Sequence, residues 1–138
     1  MVVVVSAALL ALPSTAAARD VQTPDGAVYR SGLTGRYFHP LGSFGKLNRA
    51  VTAGNRRRAQ RMADALIARG SRQGRFGLVW YYNVPGGRSG WTSGLAQAVA
   101  AQALARAGRK SAARRAFLPI PQRLITRTFQ LLTPAAPV

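Results

Sequence analysis

The chain has 138 residues, 48% of them apolar, with twenty Lys and Arg against three acids and no cysteine. That length suits one domain, and that apolar share suits a packed core rather than disorder throughout. The absence of cysteine excludes disulfides, thiolate zinc sites and cysteine nucleophiles. One histidine and three aspartates argue against a metal site built from protein ligands, and no cofactor is expected.

The formal charge is +17, and eighteen of the twenty cations are arginine. A GC-rich genome that favours arginine codons would produce this excess without any partner. The functional reading is a polyanion: an acidic polysaccharide, a nucleic acid or an anionic surface. Arginine suits carboxylate and phosphate because its planar fork donates two parallel hydrogen bonds.

Residues 1–18 read as a secretory signal, an apolar run ending at Pro13 with Ala16-Ala17-Ala18 before Arg19. The run is too short to span a bilayer, so a secreted or periplasmic chain with no stable membrane span is expected. Residues 19–36 read as loop-like. Thr23-Pro24-Asp25-Gly26 is a turn sequence, and Gly32 and Gly35 interrupt the stretch after it. His39, after Tyr37 and Phe38 and before Pro40, is pushed towards extended geometry and is a weak candidate for a general base.

A short helix is expected from Phe44 to Val51, stopped by Gly54. Asn55 then caps a helix to about Arg69, with Ala59, Met62, Ala63, Leu66 and Ile67 on its inner stripe. Gly54 between the two segments implies an antiparallel helical hairpin. The strongest strand signal is a short extended segment over 76–84. Period two puts Phe76, Leu78, Trp80 and Tyr82 on one face, and Gly77, Val79, Tyr81 and Asn83 on the other. Its aromatic planes and phenols suit the C–H faces of sugar rings. After a glycine-rich turn, Thr92 or Ser93 caps an alanine-rich helix to about Ala107, stopped by Gly108. Gln97 on this helix is either a ligand contact or a buried tie. A last helix runs from Ser111 to Phe117, with Ala112, Ala113, Ala116 and Phe117 inward.

Tyr37-Phe38-His39-Pro40-Leu41, Asn48, Met62-Ala63-Asp64-Ala65-Leu66, Val79-Trp80-Tyr81-Tyr82, Gly90-Trp91-Thr92-Ser93-Gly94-Leu95-Ala96-Gln97-Ala98 and Leu104-Ala105-Arg106-Ala107 occur in that order. This series resembles the C-terminal domain of D-glucuronyl C5-epimerases and their bacterial secreted relatives, from about Tyr37 to Phe117. The resemblance implies a mainly α fold, an incomplete (α/α) toroid of antiparallel helical hairpins over 37–126, with an irregular tail over 127–138. It also implies an acidic, uronic-acid-containing polysaccharide as partner. In that chemistry one group removes the C5 proton, another returns a proton to the opposite face, and cations hold the carboxylate.

The weak catalytic candidates are Tyr81, Tyr82 and His39. The candidate substrate contacts are Trp80, Tyr82, Trp91, Ser93, Gln97, Arg75 and Arg88. The family's tyrosine-bearing catalytic segments lie largely beyond the Trp-Ser-Gln helix, and this sequence has no tyrosine after Tyr82. The expectation is therefore a truncated, inactive, epimerase-like chain. The alternative is a non-enzymatic secreted basic module that binds polyanions. No nucleic-acid motif spacing is present, and the aromatics cluster rather than interleave with arginine.

Overall fold

The structure, a computed structural model, describes residues 19–32, 34–75, 77–87 and 90–120. The expected leader and tail, with Phe76 and Arg88, lie outside the described residues.

Turn chemistry organises the first third. Three antiparallel strands, β1 (Arg19–Gln22), β2 (Val28–Gly32) and β3 (Gly35–Phe38), form one sheet in that order. The Thr23-Pro24-Asp25-Gly26 turn joins β1 to β2, with the Gly26 amide donating to the Thr23 carbonyl at 2.9 Å. Gly26 has φ +93°, and a Cβ there would collide with the Met62 side chain, so only glycine fits. Gly32 pairs with Gly35 at the β2–β3 turn. Pairing in register sets Asp20 beside Arg30, and Arg30 beside Tyr37.

Helix α1 (Pro40–Thr52) starts earlier than periodicity suggests, because Pro40 fits the first helical turn and His39 caps it. Helix α2 (Arg56–Ala68) follows, capped by the Asn55 side chain as expected. A two-stranded sheet, β4 (Ser71–Gln73) with β5 (Gly77–Val79), leads into an isolated bridge between Tyr82 and Trp91. Ser93 caps α3 (Gly94–Arg106), and α4 (Lys110–Phe117) closes the described chain. Phe44, Leu47, Met62, Leu66, Leu78, Trp80 and Leu104 form the core with alanines from α2, α3 and α4. Phe117, expected to face inward, is exposed.

These elements overturn the toroid. Among the described residues, four helices and two small antiparallel sheets make a mixed fold, not a ring of helical hairpins. The loop-like reading of 19–36 failed because β1 is exposed along its whole length and so shows no apolar alternation. Its turns were legible, but the four- and five-residue strands between them were not. The 76–84 segment also pairs less than its composition suggests. Beyond Val79 its buried aromatics are held by side-chain hydrogen bonds and one bridge.

The helix pairs repeat at a spacing of 54 residues, a regularity that sequence identity hides, while the strands before them differ in number and spacing. Each unit places antiparallel strands before two helices. The N-caps His39 and Ser93 correspond, as do the left-handed glycines Gly54 (φ +72°) and Gly108 (φ +80°). At both glycines the helix ends alike. The Gly54 and Asn55 amides donate to the Val51 and Ala50 carbonyls, and the Gly108 and Arg109 amides donate to those of Ala105 and Leu104.

Ser43 and Gln97 also correspond, and each ties its helix to the preceding extended segment. The Val28 amide donates to Ser43 Oγ at 2.8 Å. The Trp80 amide donates to Gln97 Oε1 at 3.2 Å, while Gln97 Nε2 donates to the carbonyls of Leu78 and Ala116, each at 3.0 Å. Equivalent residues meet directly where Asn48 Nδ2 donates to Gln102 Oε1 at 3.3 Å. Helices α1 and α3 therefore lie side by side with the same polarity.

Replacing Gln97 by Leu leaves one buried N–H and two buried carbonyls without that partner, and urea denaturation should show a loss of about 3 kcal/mol. Gly108→Ala, strained only in its backbone, should cost about 1 kcal/mol. A Gln97→Leu protein as stable as the parent would show that the amide is not a structural tie.

Candidate functional site

The first turn of α1 sets the site. A helix start leaves amides without intrahelical acceptors, and Pro40 removes one of them by having no N–H. The Leu41 amide donates to Tyr82 Oη at 3.3 Å, and the Gly42 amide donates to His39 Nδ1 at 3.0 Å. The Ser43 amide reaches the His39 carbonyl at 3.0 Å. Two of the three candidate catalysts thus serve as acceptors for one helix terminus.

Around this turn the rings form a chain. Tyr37 and His39 meet at 6.4 Å between centroids, and His39 and Tyr82 at 5.5 Å, both edge-on. Tyr82 and Trp91 meet at 4.4 Å, tilted by 50°. The Tyr82 amide donates to the Trp91 carbonyl at 2.7 Å, which fixes the two backbones together. Tyr82 is 4% exposed and Trp91 49% exposed, so a buried phenol supports a large open indole face. Pro85 packs close to Gly35, where φ is +133°, and holds the intervening loop against the first sheet.

Arg30 stands at the sheet end of this cluster. Its Nε and Nη2 donate to the two carboxylate oxygens of Asp20 at 2.7 and 3.2 Å. The Asp20 carboxyl lies below its ordinary pKa, chiefly through that bond to Arg30. Burial, helped by the Arg30 charge and opposed by Asp20, holds the His39 imidazole below its usual value. Burial pushes the Tyr82 phenol up, against the bond from the Leu41 amide.

Neutral His39 accepts at Nδ1, so its proton sits on Nε2, and taking a second proton would require giving up the cap. A phenol with a raised pKa is likewise poorly suited to proton abstraction. The cluster can therefore present rings and hydrogen-bond donors to a ligand more readily than it can move protons.

The remaining sequence candidates separate. Trp80 is 1% exposed, packs edge-on against Phe44 at 4.7 Å, and donates its Nε1–H to the Leu66 carbonyl at 2.7 Å. Gln97, 3% exposed, is held by backbone groups on every side. Both are buried inside the fold, away from the open face of Trp91. Ser93 is half-buried as the cap of α3. Tyr81 is half-buried and outside the ring chain, and Arg75 is exposed in the β4–β5 turn. Of the candidates, the structure brings together Tyr82, His39 and Trp91. Sequence reasoning missed Tyr37 and Arg30 as members, because only strand register aligns Asp20, Arg30 and Tyr37 in one row. Among the described residues no cluster of His, Cys, Asp or Glu could hold a metal ion, and no helix is long and apolar enough to cross a membrane.

Set against family models, curated proteins and solved structures, the chain matches none.

The His39 cap has a pH signature. A folded pKa below the unfolded value of about 6.5 favours the neutral ring, so its stabilisation is present above that value and is lost as pH falls towards the folded pKa. Thermal melts between pH 7.5 and 5 should show the native protein losing stability through that window. His39→Asn retains a capping oxygen without titrating, so its melting temperature should fall less. Equal pH slopes in the two proteins would rule out His39 as the source.

Proposed function

We propose that this chain is an exported, non-catalytic binding module for an acidic, uronic-acid-containing polysaccharide. The observation that carries the reading is the half-exposed Trp91 indole, seated on a buried Tyr82 beside the ring chain of Tyr37 and His39. An indole plane held in this way offers a flat apolar face to the C–H face of a sugar ring. The resemblance of the Trp91-to-Gln97 corner to D-glucuronyl C5-epimerases supports a uronic acid as the sugar.

Charge supports the acidic class. Each of the three aspartates is already bonded to an arginine, Asp20 to Arg30, Asp25 to Arg69 and Asp64 to Arg109. The sequence has no further acidic side chain for the other seventeen Lys and Arg. Such a surface attracts polyanions and releases their counterions on binding. The capping roles of His39 and Tyr82 support a non-catalytic reading. An epimerase would need two proton-transfer groups on opposite faces of the sugar.

Titration with polyglucuronate should change the fluorescence of Trp91, with Trp80 buried and silent. Affinity should fall steeply with salt, and Trp91→Ala should bind about tenfold more weakly. In deuterated water the polymer should gain no deuterium at C5. Deuterium incorporation would make the chain an epimerase, and polymer binding indifferent to Trp91 would remove the aromatic platform.

A further inference from the structure

We infer that the cleft at the far end of α1 and α3 is an oxyanion subsite that takes a carboxylate of the same polymer. This inference rests on the glycan-binding reading and extends it. Arg30, the cation in the ring cluster's own strand row, is engaged by Asp20 through two hydrogen bonds. That arginine is already committed, and a carboxylate farther along the polymer calls for a further cation.

The cleft has a volume of about 460 Å³ and is lined in part by Gly54, Arg56, Gln60, Arg106 and Gly108. It opens where the two helix-ending turns meet the start of α2. Arg106 is held in place before any ligand arrives. Its Nη1 donates to Asn48 Oδ1 and its Nη2 to Thr52 Oγ1, each at 2.8 Å. Both acceptors are neutral, so the guanidinium is oriented without being neutralised, and it keeps further N–H groups to donate. Arg56 is exposed on the same cleft, and Gln60 adds an amide.

Among the described residues no acidic side chain lines the cleft, and the start of α2 at Arg56 offsets the two helix C-termini that meet there. Near the ends of α1 and α3, the carbonyls of Ala50, Val51, Leu104 and Ala105 accept from the Asn55, Gly54, Arg109 and Gly108 amides. Asp64, the one acid on α2, is gripped by Arg109 at 2.7 Å through each carboxylate oxygen. Two glycine turns in the lining carry no side chains to hold a ligand away.

The α1–α3 seam runs from this cleft to the ring cluster, polar at the cleft end and apolar at Leu41 and Leu95. Leu41, Asn48 and Thr52 share one face of α1, and Leu95, Gln102 and Arg106 occupy the equivalent face of α3. Tyr82 Oη meets the backbone at Leu41, the Asn48–Gln102 bond lies midway, and Arg106 lies at the cleft. Thirteen residues at 1.5 Å each make the seam about 20 Å long. A polymer with a ring on Trp91 can follow the seam and place a later carboxylate between Arg106 and Arg56.

The test is an NMR titration with oligoglucuronates of increasing length, reading the Gly54 and Gly108 amides and the Trp91 indole N–H. Long oligomers should move all three signals, and a short one chiefly the indole. Arg56→Gln should weaken long oligomers roughly fivefold and lower the salt slope by about one, with the indole response kept. Arg106→Lys keeps the charge but loses the fork and should also weaken them. Arg56 is exposed at the start of α2, outside the packed core, so its variant separates binding from folding.

Shifts confined to the indole overturn the cleft and leave the glycan reading standing. Silence at all three signals overturns both. A parallel titration with inorganic phosphate and duplex DNA tests the other source of oxyanions. Cleft shifts with these and none with uronate overturn the carboxylate assignment.

Discussion

The amide of Gln97 is the contact on which the remaining structure depends. It sits in the first turn and a half of α3 and binds the backbone on both sides of Val79, with a third bond to α4. A buried primary amide must find partners, and here the partners are backbone groups that β5 leaves unpaired as its ladder ends. Trp80 is thereby locked into the core under Phe44 and Leu66. Two residues later Tyr82, also buried, is placed to receive the Leu41 amide and to support Trp91. Ser43 does the same work 54 residues earlier on β2. The two ties fix each helix against its extended segment, while matching caps and glycine stops set the equal lengths and ends.

The same placement decides the chemistry. A histidine and a tyrosine at the head of a helix could serve as acid and base if their polar atoms were free. In this fold Nδ1 of His39 and Oη of Tyr82 complete the hydrogen bonding of the first turn of α1. Burial lowers the histidine and raises the tyrosine, so both stay neutral, and the cap requires that neutrality of His39. Structure and catalysis compete for these two atoms, and structure has them. At the site the indole of Trp91 stays open to solvent, beside a surface rich in arginines whose only acidic side-chain partners are three aspartates.

Much of the helical half was legible in the sequence. Asn55 and Ser93 as caps, Gly54 and Gly108 as stops, and the stripe of Ala59, Met62, Ala63 and Leu66 all follow from local rules. The toroid inferred from the epimerase resemblance did not hold: the described residues form four helices with two small antiparallel sheets, one of them built from N-terminal strands that read as loop. Those strands were missed for a physical reason: β1 is exposed throughout and pairing, not burial, defines it. Of the site, Tyr82, His39 and Trp91 were named from residue type alone. Their grouping depends on a 41-residue contact from Tyr82 to Leu41, and the cleft depends on a 58-residue contact from Arg106 to Asn48. Local patterns carry no trace of either. Gln97 and Trp80 stood out as polar and aromatic, but their burial became visible only in the packed chain.

The most direct measurement is saturation-transfer NMR on the protein with an oligoglucuronate, irradiating the indole protons of Trp91, which its exposure distinguishes from the buried Trp80. Saturation should pass to the C–H protons on one face of a sugar ring, as a platform of this geometry requires. Transfer absent from every ring proton, with binding still evident from the arginine signals, would contradict it and reduce the protein to a charge-driven binder of polyanions.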